Sequence, residues 1–563
     1  MLFVLIAMAA SATTVSSCGA LKQAGRTYLL QNDVSSDGTC FSVQADDITL
    51  DLNGHTVTYG RGGGKYARYG VVGMACWDPD LKNGAANGNP CGGTWNRLTV
   101  RNGAISEEDP TAPPYSHAIR ISPGSGEHAS IHDLTLRVGS TSSVPVWILS
   151  SRGGLSIFNN TIHNDVQTIN NRHRLEGMSI KSEDDAECMA PNSIHDNKII
   201  GGAQGGILTR CKGSQIYKND IAQNGAYTND YAIYASGVGQ DVHDNYIHPT
   251  QGRGIGTGDQ DTHGTRIHHN TIVVSEQANN PEYHGCEIEG TRGIEARATF
   301  GVEIDHNTVT VKSDGCGGIG IKMVTDLGSG GKTPIQIHDN VVSTINVSGQ
   351  AEQPLLAFEY DGTTAGCCIY KNNTVTADSW FAGVAWDGGD SGAFIANTYI
   401  LGSNPLPPSA GNFGGTGLFF WGCGDAGARH STRGWVFRDM AYQNGANPLT
   451  RMLTSSAGCP ISYSTTWSYT VSVVEQSTNK PLAGATVSAF DSAGSRASAK
   501  TDASGQATLV LLQEQVSNDS SRAEIRENHN PQQLSISLPG CTTSNYSFSI
   551  AQRTQETRKL QCP

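Results

Sequence analysis

Charge is scarce in this chain: Asp, Glu, Lys and Arg make up 16% of its 563 residues. With a net charge of -13 and no cluster of Lys and Arg, it lacks the basic stripe that a nucleic-acid surface needs. Long amphipathic helix-forming runs are also missing. Short apolar pairs delimited by glycine, of which there are 67, take their place and point to β structure. No apolar run is long enough to span a bilayer. None of the 14 cysteines forms a Cys-x-x-Cys pair, which argues against a zinc site and for disulfides in an oxidising compartment. Apolar residues are spread evenly enough to exclude disorder.

Residues 2–10 form an apolar stretch followed by small residues, so residues 1–17 read as an export signal with cleavage near Ala12. Val15-Ser16-Ser17-Cys18 offers a second reading, a lipid anchor on Cys18. The cysteine spacings predict local pairs: Cys18 with Cys40, Cys76 with Cys91, Cys188 with Cys211, Cys286 with Cys316 and Cys541 with Cys562. Cys367, Cys368, Cys423 and Cys459 are left to pair among themselves, in a connectivity the sequence leaves open.

One phrase recurs: an aliphatic, two mostly polar residues, Asn, one residue, an aliphatic. It runs Ile157 to Ile162, Ile194 to Ile199, Ile216 to Ile221, Val242 to Ile247, Ile267 to Ile272, Ile304 to Val309 and Ile337 to Val342, with looser copies around Asn373 and Asn397. From Asn160 to Asn397 the intervals are 37, 22, 26, 25, 37, 33, 33 and 24 residues, the period of a solenoid. The aliphatics are expected inside. The Asn is expected at a bend, where it tolerates left-handed φ/ψ and can bond its neighbours as a ladder. His132, His195, His243, His268 and His338 recur beside it and read as surface positions rather than metal ligands.

These phrases resemble the right-handed parallel β-helices of the pectate-lyase-like superfamily, as does the opening Cys18-Gly19 through Leu29, Cys40 and Asp47 to Val57. The resemblance covers roughly residues 18–460. It implies an all-β solenoid, and it fixes no single activity because the fold hosts many. From about residue 466 the alternation in Tyr469 to Val473, with Pro481 to Val487 and Thr501 to Ala507, looks like a carboxypeptidase-regulatory-like β-sandwich over 466–563. Such a module implies a spacer or docking role.

A second pattern lies between the phrases: a small residue, an aliphatic, x, an apolar residue, x. With the aliphatics inside, strict alternation turns the third and fifth residues outward. The fifth positions then form a row: Lys181, Arg210, Ser236, Gly258, Arg297, Lys322, Glu359, Asp387 and Trp421. The third positions run alongside: Ser179, Leu208, Tyr234, Gly256, Glu295, Gly320, Ala357, Ala385 and Phe419. At about 4.8 Å per strand, Arg297, Lys322, Glu359 and Asp387 make one cluster beside Glu295. Tyr234, Phe419 and Trp421 offer flat surfaces, and Gly256 with Gly258 leaves a notch for a sugar chain. Arg292 reads as a surface loop residue.

Two chemistries suit such a row. Elimination on a uronate polymer needs a base beside the carboxylate and a cation to hold it; Lys322 and Arg297 are the candidates. Glu295, Tyr234, Lys181, Arg210, Phe419 and Trp421 would line the substrate. The resemblance implies Ca²⁺ as a possible cofactor, with Asp259 and Asp261 as ligands. Glycoside hydrolysis instead needs two carboxylates, and Glu359 with Asp387 one coil apart would sit near 5 Å. The expectation is therefore an exported protein acting on an acidic polysaccharide, most simply by lyase-type cleavage. The alternatives are a hydrolase and a non-catalytic protein of the cell surface that binds glycan or its own copies.

Overall fold

The computed structural model describes residues 12–563 apart from 62–66, 74–96, 110, 112–113, 122–127, 150–152, 167–176, 184–187, 189, 203, 223–230, 259–261, 276–290, 298–299, 326–333, 363–366, 385–390, 423–431, 448–450, 456–460 and 519–523. Every regular element among the described residues is a β-strand. The chain divides into two compact units. The first holds residues 1–322 with 343–355 and 409–414; the second holds 323–342, 356–408 and 415–563.

The first unit is a parallel β-solenoid. A coil such as Arg266–His268, Thr271–Ser275 and Thr291–Arg297 lays two strands on one sheet, separated by the Asn bend, and a third strand on another sheet. The aliphatic positions stay in register from coil to coil, with a bulge between Ile247 and Thr250 where Tyr246–Gln251 meets Thr271–Ser275. Ile194, Ile216, Val242, Ile267 and Ile304 pair in sequence before the bend. Ile162, Ile199, Ile221, Ile247, Ile272 and Val309 pair after it. On the other sheet the column is Ile180, Ile207, Ile233, Ile255 and Ile294. All are fully buried, each contributing about 1.5–3 kcal/mol relative to exposure.

The Asn residues do form a ladder. The Asn219 side-chain amide donates to Ile194 O in the preceding coil and to Asn245 Oδ1 in the next, each at 3.0 Å. The same bonds repeat at Asn160, Asn197, Asn245 and Asn270. The bend itself works differently from the sequence reading. The left-handed residue is the one before each Asn: Asn159, Asp196, Lys218, Asp244, His269 and His306 have φ between 52° and 55°. A side chain there costs roughly 1–2 kcal/mol, and the buried amide beside it offsets that cost by satisfying two coils at once.

One position earlier the side chains point outward and stack. His132, Phe158, His195, Tyr217, His243 and His268 form a column of nearly parallel rings with centroids 4.6–5.1 Å apart. The histidines of this column are half-buried on the outer side of the sheet.

The second unit also contains parallel coils, here with aromatic filling. Ile335–His338, Cys368–Lys371, Ala393–Ile395 and Thr432–Arg438 pair in parallel. Phe358, Tyr370, Phe381, Phe394 and Phe437 pack against one another inside. The domain boundary expected between 460 and 466 falls within one strand. Ile461–Glu475 pairs in parallel with Thr432–Arg438 from Ile461 to Thr466, antiparallel with Gln506–Asn518 from Ser462 to Ser472, and in parallel with Thr554–Leu560 from Tyr469 to Glu475. A four-stranded antiparallel sheet of Arg496–Lys500, Thr486–Phe490, Gln532–Ser537 and Ser544–Phe548 shares an apolar cluster with those strands, through Trp467, Val471, Val487, Leu509 and Ile536.

Cys18–Cys40, Cys188–Cys211 and Cys541–Cys562 are disulfides, as the spacings predicted. Cys18 is therefore not a free thiol for lipid attachment. Cys367 joins the adjacent Cys368, and Cys316 is disulfide-bonded. Cys76, Cys91, Cys286, Cys423 and Cys459 lie outside the described residues, as does the apolar stretch of the export signal.

Candidate functional site

Strict alternation fails at the entry to the strands of the one-strand-per-coil sheet. In Arg253–Thr257 and Thr291–Arg297, both the glycine and the isoleucine after it face the core. A Cβ on Gly254 would run into Ile272, and one on Gly293 into Val309. The residues on either side of this pair, three apart, therefore share the outer face. Tyr231 and Tyr234 are in ring contact at 5.4 Å, and Arg292 pairs with Glu295. The outer face thus has two columns. Tyr231, Arg253 and Arg292 form one; Arg120, Trp147, Lys181, Leu208, Tyr234, Gly256 and Glu295 form the other.

Glu295 is the hub where the columns meet. Its Oε2 accepts from the Tyr231 hydroxyl at 2.5 Å, from Arg253 at 3.0 Å, and from Arg292. Arg253 also donates to the Tyr231 oxygen at 2.8 Å and lies over that ring. Arg297 Nε stands 3.6 Å from Glu295 Oε1. Burial alone would raise the Glu295 carboxyl. Arg292, Arg253, the Tyr231 hydroxyl and Lys322 outweigh it and hold the group well below the ordinary carboxylate range. Burial pushes the Tyr231 phenol above its ordinary value. One ionised carboxylate thus sits among four cationic side chains, and a buried charge of this kind persists only when paired.

The structure brings together Glu295, Arg297, Lys322 and Tyr234 from the sequence reading, and adds Tyr231, Arg253 and Arg292. Arg292 is 1% exposed and bonded to Glu295, contrary to its expected place on a surface loop. The signal for it was the spacing of three to Glu295, which an alternating strand hides. Glu295 and Lys322 are buried; Tyr231, Tyr234, Arg210 and Arg297 are half-buried and form the accessible part. The notch expected at Gly256 and Gly258 is filled. The Tyr231 ring occupies the space beside Gly256, and the Tyr234 hydroxyl the space beside Gly258.

Lys181 pairs with Leu208 rather than Arg210, because its strand enters two residues out of step with the expected register. It is buried with its ammonium 4.2 Å from the Trp147 ring centroid, and Arg120 lies 3.5 Å from the same centroid. Trp147 meets His117 nearly at right angles, and burial with the charges of Arg120 and Lys181 lowers the His117 imidazole well below its ordinary value.

In the second unit Glu359 is buried and pairs with Gly383, four residues before its expected neighbour Asp387. The expected two-carboxylate pair on adjacent strands is therefore not formed in that register. Asp387, Asp259 and Asp261 lie outside the described residues. Phe419 is fully buried against Trp380, so it offers no outer surface. The backbone of Trp421 pairs with Thr454.

No protein-family model matches the chain, and no curated protein does. Solved structures of the tailspike protein of E. coli bacteriophage HK620 are similar in outline. A substituted form in complex with a pentasaccharide has a TM-score of 0.37 at 12% identity, over 90% of this chain and 86% of that one. A second structure of this tailspike, also in complex with pentasaccharide, has a TM-score of 0.35 at 11% identity, over 92% of this chain and 86% of that one. Likeness at this level carries neither an activity nor a ligand across to this chain.

Proposed function

We propose that this is an extracellular protein that binds an acidic polysaccharide on the outer face of the first unit, over Tyr231, Tyr234, Arg297 and Arg210. One observation carries the reading. In a chain of net charge -13, this face gathers Arg253, Arg292, Arg297 and Lys322 around the carboxylate of Glu295. Aromatic faces suit sugar rings, and arginine forks suit carboxylates. The buried ion network keeps Tyr231 and Arg253 in place, which lowers the cost of ordering them on binding.

Lyase-type cleavage is the further step of this reading. It needs a base next to the uronate carboxylate, and of the two predicted bases only Arg297 is near the surface, with 36% of its side chain exposed. The burial of Lys322 favours binding without chemistry as the second reading. The test is to incubate the full chain with uronic-acid and neutral polysaccharides, with and without Ca²⁺, and to follow binding, ultraviolet absorbance of unsaturated uronate and reducing ends together. Binding to uronates that is lost in Arg297→Ala supports the site. A rise in absorbance establishes elimination, and reducing ends without absorbance indicate hydrolysis. Failure to bind any uronate polymer would reject the proposal.

A further inference from the structure

The ring column on the other sheet of the first unit follows a rule with one exception. In three coils the histidine is followed by an aspartate in the left-handed position, and that carboxylate takes the histidine Nδ1. The distances are 2.6 Å for His132 and Asp133, 2.7 Å for His195 and Asp196, and 2.8 Å for His243 and Asp244. In the coil of His268 the left-handed residue is His269, and the two Nδ1 atoms face each other at 2.8 Å with the rings nearly perpendicular. A neutral imidazole has one N–H and one lone pair, so two nitrogens this close share either a proton or a cation.

From this geometry we infer that His268 and His269 form a bidentate site for a divalent transition-metal ion. A second contact points the same way. His268 Nε2 is bonded to Asp241 Oδ1 at 2.9 Å, which leaves the Nδ1 lone pair available. A carboxylate on the far nitrogen is how metal-binding histidines are usually oriented. With metal–nitrogen bonds of about 2.1 Å, a 2.8 Å separation subtends roughly 85° at the ion. That is close to the right angle of octahedral or square-planar ions such as Ni²⁺ and smaller than the tetrahedral angle of structural Zn²⁺. The neighbouring cation is already balanced, since Arg266 makes a two-pronged bond to Asp305 at 2.9 and 2.8 Å. His269 is exposed, so an ion reaches the pair from solvent, and its remaining positions are left to water.

The protein carries its own control. His269→Asp converts this coil to the pair found at His195 and Asp196, so the fold is expected to be kept, as circular dichroism would verify. The experiment is calorimetric titration of chelator-treated full-length protein with Ni²⁺. The first equivalent should weaken at least tenfold in His269→Asp and by about tenfold in Asp241→Asn, the scale of ligand-orienting contacts. It should be unchanged in His195→Gln. Wild-type protein without saturable Ni²⁺ binding, or a His269→Asp variant that binds as tightly as wild type, would overturn the inference.

Discussion

The hydroxyl of Tyr231 and the carboxylate of Glu295 are 64 residues apart in sequence and 2.5 Å apart in space. Their columns are adjacent because the glycine and isoleucine between them both turn into the core. The contact joins the half-buried edge of the face to its charged interior, so changes at Glu295 are expected to reach the surface through Tyr231.

Glu295→Gln should destabilise the first unit strongly. Arg253 and Arg292 would remain buried without their counter-charge, and breaking one partner of a buried pair typically costs about 3–5 kcal/mol. Chemical denaturation of the variant against wild type measures it. A shift of less than about 1 kcal/mol would mean that the network is better solvated than its burial indicates.

Acid should act through the same group. The folded carboxyl lies below its unfolded value, so its contribution to stability is full above the ordinary carboxylate range. It is then lost progressively as pH falls below that range towards the folded value. Denaturation midpoints measured from neutral pH down to the acid limb should fall less steeply in Glu295→Gln than in wild type, because the variant has no proton to gain there.

Gly256→Ala places a methyl group where the Tyr231 ring sits. Displacing the ring should cost about 1–3 kcal/mol, the usual penalty of overpacking. It should also weaken polysaccharide binding. If binding is unaffected while stability falls, Tyr231 supports the face and does not contact the ligand.

Asn245→Ala opens the ladder in both directions. It removes the acceptor for the Asn219 amide and backbone N–H, and the donor to Ile216 O. Each buried group left unpaired costs about 1–3 kcal/mol, so the loss should exceed that of a typical surface substitution several-fold. Thermal unfolding compared with Lys198→Ala, at an exposed strand position, gives the contrast.

The sequence alone determined the coil plan, the buried aliphatic columns, the stacking of the Asn residues as a ladder, and the pairs Cys18–Cys40, Cys188–Cys211 and Cys541–Cys562. These are legible because a solenoid turns spacing along the chain directly into stacking. The order of residues in the site was only partly legible. Glu295, Arg297 and Tyr234 were found because the strands Tyr231–Ala235, Arg253–Thr257 and Thr291–Arg297 keep step in the middle of the sheet. Arg253 and Arg292 were not, because an inward glycine next to an inward isoleucine breaks the period of two, and no composition signal marks that break. Lys181 and Glu359 were set beside the wrong neighbours because a shift of two or four residues leaves the inward–outward pattern intact, so the sequence has nothing to tell the registers apart. Only the tertiary structure decides such shifts, through which backbone carbonyl each strand meets and how much room the core leaves for a side chain at the corner.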